Sequence, residues 1–210
     1  MTEEETLARL KRECEAEMRL WWAGELPPLV FGDGNAQSPR LMLVGEAPGE
    51  QEALQGKPFV GKAGKNLTAF LSVVGLERSS LYISNVVKFR PSRLSAAGRQ
   101  VNRPPTREEI ARFVPWLMRE VAAVQPRALV TLGNVALNAF LPKPGVIGDY
   151  HGRWQTVGIP AIRGEMIRMP LFALYHPASV IYNRALADVY RADLIRLSET
   201  LSESNAITDS

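Results

Sequence analysis

A chain of 210 residues with 46% hydrophobic residues and no break in composition can close one sizeable core, so a single domain over residues 1–201 is expected. The net charge of +3 and pI near 9.2 are mildly basic, but arginines cluster at Arg90, Arg93, Arg99 and Arg103 and again at Arg184, Arg191 and Arg196, which suits a polyanion better than a membrane. No apolar run reaches the roughly 20 residues that span a bilayer, the acidic start MTEEETLARLKRE is unlike a signal peptide, and the lone Cys14 excludes an internal disulfide or an all-cysteine metal site.

In chain order, Arg40 to Val44 reads as a strand that ends at Gly45. A glycine-dense loop follows, VGEAPGEQEALQGKPFVGKAG, and then a helix from Gly64 to Val74. Leu81 to Val86 is the second strand. Pro91 to Pro105 is basic and turn-rich, and Thr106 to Val124 is a helix opened by Thr106 and Glu109 in capping-box register. Ala128 to Leu132 is the third strand, Asn134 to Phe140 a short helix, and Gly145 to Ile162 either a β-excursion or a surface loop. Leu171 to Tyr175 is the fourth strand, Arg184 to Ser198 the last helix, and the polar 202–210 a frayed tail. This alternation predicts a three-layer α/β/α domain around a four-stranded parallel sheet.

Gly45, Asn85, Gly133 and His176 each stand at or just beyond a predicted strand end, so an open parallel sheet brings them to one crevice. The loop after the first strand is neither a P-loop nor a GxGxxG fingerprint, and by itself it is an ordinary glycine-rich turn. Phe59 in that loop is a core anchor or, beside a crevice, a surface that stacks on a flat ring. Asn85 caps a turn or reads a pyrimidine edge with its carboxamide. His176, followed by Pro177, is a structural histidine or a donor to developing negative charge. Glu46 is the leading candidate to orient water or stabilise a cationic sugar. Together these groups suit cleavage of an N-glycosidic bond.

Five blocks carry a resemblance: FGDGNAQSPRLMLVGEAPGEQEALQGKPFVGKAG from Phe31, YISNVVKFRP from Tyr82, NRPPTREEI from Asn102, LVTLGNVAL from Leu129 and HPAS from His176. In this order and over nearly the whole chain they resemble the family 4 uracil-DNA glycosylases of the uracil-DNA glycosylase superfamily. The resemblance implies a site that receives a flipped-out uracil from single- or double-stranded DNA and leaves an abasic site. It implies base contacts from Gly45, Ala47, Phe59 and Asn85, catalysis by Glu46 and His176, and DNA contacts from Ser179 and Arg184; the clustered Arg90, Arg93, Arg99 and Arg103 are expected from their charge to meet DNA phosphates as well. Ala47 stands where other branches have a catalytic aspartate.

The chain departs from that family at the iron-sulfur cluster. Cys14 matches one of four cysteine positions, while Glu17, Phe89 and Phe113 occupy the others, so no cluster and no metal are expected. The stretch from Ser92 to Val101 is longer than the family's link. The chain is expected to act as a cytoplasmic monomer that releases uracil; the alternatives are a paralogue that binds DNA without turnover and a glycosylase for hypoxanthine or xanthine.

Overall fold

The computed structural model describes residues 2–160 and 165–208. Its elements in chain order are α1 (Glu3–Trp21), β1 (Asp33–Gly34), β2 (Leu41–Gly45), α2 (Glu50–Gln55), α3 (Lys62–Val73), β3 (Tyr82–Asn85), β4 (Ser92–Leu94) and β5 (Gln100–Asn102). They continue with α4 (Arg107–Val124), β6 (Ala128–Leu132), α5 (Asn134–Asn138), α6 (Ile147–Tyr150), β7 (Trp154–Pro160), β8 (Met166–Leu174), α7 (Pro177–Tyr182) and α8 (Leu186–Thr208).

The main sheet has six strands in the order β1-β3-β2-β6-β8-β7. Its centre, β3-β2-β6-β8, is the parallel four-stranded sheet expected from the sequence. Two antiparallel edge strands extend it: β1 beside β3, and β7 beside β8 over seven paired residues from Trp154 to Pro160. The stretch 145–162 thus contains the β-excursion, although its last residues, Ala161 and Ile162, lie outside the described residues. The antiparallel β4–β5 hairpin stands apart and accounts for the long link at 92–101. Helix α8 runs to Thr208, so the helix occupies most of the segment whose polar composition predicts fraying; residues 209–210 lie outside the described residues.

Alternation along the central strands makes the layers. Met42 and Val44 face one side with Leu10, Met18, Phe113 and Leu117, drawn from α1 and α4. Leu41 and Leu43 face the other side with Leu67, Leu71, Tyr190 and Leu194, drawn from α3 and α8. A pleated strand sends successive side chains to opposite faces, so an unbroken apolar run such as LMLV is what a sheet covered on both faces requires. Helix α4 begins where expected: the Thr106 hydroxyl accepts from the Glu109 amide at 3.2 Å, and the Glu109 carboxylate accepts from the Thr106 amide at 2.6 Å. Among the described residues, no helix is long and apolar enough to cross a membrane.

One ion pair lies in the core beside the strand ends. Lys88 and Glu120 are both essentially without exposure, and the Lys88 ammonium donates to Glu120 Oε2 at 2.6 Å, to Ser84 Oγ at 2.8 Å and to the Asn85 carbonyl at 2.7 Å. Glu120 also accepts from the Gly32 amide and the Tyr82 and Ser84 hydroxyls. Burial by itself would raise its carboxyl, but the Lys88 charge and these donors hold it below the usual range. With both partners fully hydrogen-bonded, the pair escapes the penalty of an unpaired buried charge and fixes the end of β3 from beneath.

Candidate active site

The register of the sheet assembles the floor of the site. Gly45, the last residue of β2, pairs directly with Asn85, the last residue of β3. A Cβ on Gly45 would lie 2.4 Å from Asn85 Oδ1 and 2.5 Å from Phe59 Cζ, so only glycine permits this approach of carboxamide and ring. On the far side, Gly133 follows β6 with φ +89, and a Cβ there would meet His176 Cβ at 3.1 Å.

Asn85, Phe59 and His176 line one cleft of about 300 Å³, together with Ala47, Glu52 and Asn102. The ring centroids of Phe59 and His176 are 5.9 Å apart. Asn85 is 2% exposed, and its Oδ1 has no hydrogen-bond partner within the protein. A buried carbonyl oxygen left unpaired costs about 1–3 kcal/mol, a cost a ligand N–H would relieve.

His176 follows β8, as expected, and caps α7. Its Nδ1 accepts from the Ala178 amide at 3.2 Å, and Pro177 supplies the first helical residue. With Nδ1 occupied as an acceptor, the neutral ring carries its proton on Nε2. Burial pushes the imidazole down to about 4, partly opposed by the Glu52 carboxylate, so near neutral pH the ring is an uncharged donor.

Glu46 lies beside this group rather than within it. It lines an adjoining recess of about 210 Å³ that shares Ala47, Gly49, Asn102 and His176 with the cleft. Burial raises its carboxyl above the ordinary carboxylate range.

Two residues that sequence reasoning left unassigned shape the same walls. Glu52 accepts from the Gly49 amide at 3.1 Å and from the Gly61 amide at 2.7 Å, which draws the two ends of the glycine-rich loop together. Asn102, at the foot of the hairpin, accepts from Arg90 Nε at 2.7 Å. The capping register Gly49-x-x-Glu52 was a readable signal for the first; no local pattern marked the second.

The six expected DNA-contact residues divide into two groups. Arg93 and Arg99 on the hairpin and Arg184 after α7 are exposed, and Ser179 is half-buried in α7. Arg90 and Arg103 are engaged within the chain. Arg90 bonds Glu50 at 3.2 Å besides Asn102, and Arg103 makes a two-pronged pair with Glu109 at 2.6 and 2.8 Å. These two guanidiniums anchor the hairpin beside the site.

Residues 31–196 match the family model described as the uracil DNA glycosylase superfamily. The chain is 33% identical over 203 residues to the Type-4 uracil-DNA glycosylase of Saccharolobus solfataricus, covering 94% of this chain and 86% of that protein. It is 37% identical over 174 residues to the Type-4 uracil-DNA glycosylase of Archaeoglobus fulgidus, covering 81% and 80%. With the Type-4 uracil-DNA glycosylase of Thermotoga maritima it shares 35% over 161 residues, 75% of this chain and 73% of that one.

Proposed function

The chain belongs to the uracil-DNA glycosylase superfamily, and from that premise we propose that it is a DNA-repair hydrolase that excises uracil from DNA through the cleft between Phe59, Asn85 and His176. The observation that carries this reading is the unpaired, buried Asn85 Oδ1 at the cleft floor, beside an aromatic ring. Uracil presents an N3–H to such an acceptor and an O4 to the amide hydrogens of the same carboxamide. Phe59 offers the stacking face.

The reaction breaks the bond between C1′ and the base nitrogen, and its electron pair leaves with the base. His176 Nε2–H donates to the oxygen on which that negative charge collects, and as a neutral donor it stabilises the anion without first having to give up a proton. Water adds to C1′; Glu46 in the adjoining recess orients it and accepts its proton, and the released base is protonated from solvent. Gly45 and Ala47 bring backbone close to the base. Arg93, Arg99, Arg184 and Ser179 face the phosphates of single- or double-stranded DNA. The protein works as a monomer in the cytoplasm, where deaminated cytosine is its source of substrate.

The four-cysteine iron–sulfur cluster of the resembled family does not fit these residues. Cys14 is the single thiol, and burial pushes it up to about 12, far from the thiolate a cluster needs. Glu17 is exposed, and Phe89 and Phe113 are buried at 2% and 0% exposure with ring centroids 5.8 Å apart. Trp22 packs edge-on against Phe89 at 4.8 Å. We read this aromatic group as the replacement that ties α1, the segment after β3 and α4 together.

Release of free base from single strands and duplexes carrying uracil, hypoxanthine or xanthine tests the proposal. Uracil release with formation of an abasic site is the expected result; tight binding without release of any base would overturn it.

A further inference from the structure

Phe59 keeps a backbone conformation that an aromatic residue rarely takes, with φ +52. This conformation turns its ring toward Gly45 and His176 and its carbonyl away from the cleft. Two features outside the tight turn hold it. Gly64 leaves room for the carbonyl, since a Cβ there would lie 1.8 Å from Phe59 O. Arg78, in the 3-10 turn Arg78–Ser80 that leads into β3, donates from Nη1 to Phe59 O at 3.0 Å and from Nη2 to Pro58 O at 2.7 Å.

Phe59 is 7% exposed and belongs to the buried cluster that includes Leu41, Leu43 and Leu67, which seats the ring but offers no hydrogen bond to the two carbonyls. An open cleft of about 470 Å³, lined by Asp33, Lys57, Lys65 and Thr68 besides Phe59 and Arg78, leaves space into which the loop can relax. Rotating Phe59 toward a negative φ swings its carbonyl off the guanidinium and carries the ring away from the floor. A planar fork with two donors on successive carbonyls resists that rotation as a single point charge cannot.

We propose that Arg78 is a positioning residue of the base pocket, clamping the carbonyls of Pro58 and Phe59 so that the Phe59 ring is held ready for the base before DNA arrives. The proposal rests on the reading of Phe59 as the stacking surface. Arg78, in the 3-10 turn, and Asn85, at the end of β3, lie on one continuous stretch of chain, so the stacking plane and the edge-reading carboxamide are set from neighbouring parts of that stretch.

The test is a double-mutant cycle of Arg78→Met and Phe59→Ala, read as KM and kcat on a uracil-containing single strand and as inhibition by free uracil. Arg78→Met is expected to weaken free-uracil inhibition and lower kcat/KM about tenfold, a fold-change within what the loss of one base–aromatic stack produces. Arg78→Lys should recover part of this. In the Phe59→Ala background Arg78→Met should add less than about twofold, because the clamp then has no ring to hold. Multiplicative losses in the double variant, or an unaltered Arg78→Met beside an impaired Phe59→Ala, would overturn the clamp while leaving the stacking role intact. An unimpaired Phe59→Ala would overturn both. If Arg78→Met lowers the melting temperature steeply, Arg78→Lys, which keeps the charge and one of the two bonds, is carried through the same cycle and judged by the same outcomes.

Discussion

At the scale of single residues, the site is a set of polar groups whose surroundings fix their protonation. Asn85→Ala and His176→Ala are each expected to reduce uracil excision about a hundredfold, the usual effect of losing one positioned donor or recognition group. Melting temperature should change little for Asn85→Ala and decrease modestly for His176→Ala, which also removes the acceptor that caps α7. Single-turnover rates check this, and wild-type rates in both variants would remove the site assignment. The pH dependence has a definite sign. The His176 imidazole, about 4 in the folded protein against 6.5 ordinarily, binds its proton less tightly than in the unfolded chain. Its contribution to stability is therefore complete above about 6.5 and is lost as the pH falls toward 4. Urea midpoints between pH 4 and 7 should show a smaller acid loss in His176→Gln than in the wild type. Because burial raises the Glu46 carboxyl, the acid limb of the rate profile should lie above the ordinary carboxylate range and disappear in Glu46→Gln.

At the scale of elements, apolar runs bounded by glycine and proline placed three of the four central strands to within one residue, because strands buried on both faces have no polar alternation to blur them. Strand β8 instead begins at Met166, five residues before the expected Leu171, in a mostly exposed stretch that pairs with β7. Thr106 and Glu109 marked the start of α4 for the same local reason. The edge strand β7 was legible only as one of two possibilities, since its pairing with β8 is a long-range contact. The left-handed conformation of Phe59 was invisible for a related reason: Arg78 and Gly64, which hold it, do not announce their partner in sequence. Convergence of Gly45, Asn85 and His176 was readable from strand ends, but the internal engagement of Arg90 and Arg103 depends on where Glu50 and Glu109 fall in space. The joint among α1, the segment after β3 and α4 rests on packing. Phe89→Ala and Phe113→Ala should each destabilise the protein by about 3–5 kcal/mol, the range for deleting a buried aromatic ring. Chemical denaturation measures this, and unchanged stability in both, or stoichiometric iron and sulfide in purified protein, would contradict the aromatic replacement.

At the scale of the whole molecule, charge and cleft lie together at the carboxyl ends of the parallel strands, which is where an open α/β sheet binds its ligand. The exposed Arg93 and Arg99 extend this region along the β4–β5 hairpin, whose foot is the cleft-lining Asn102. Affinity for duplex DNA should fall steeply with salt, and Arg93→Ala or Arg99→Ala should each reduce the slope of log affinity against log salt by about 0.9. Arg103→Ala should instead lower the melting temperature, because it leaves the nearly buried Glu109 without its partner. The central claim is that this surface delivers a uracil to a cleft that breaks its glycosidic bond. The most direct measurement is release of free uracil, with a matching count of abasic sites, from uracil-containing DNA by purified protein and by Asn85→Ala. The account predicts equal amounts of base and abasic site from the wild type and about a hundredfold slower release from the variant; DNA binding with no base released by the wild type would contradict it.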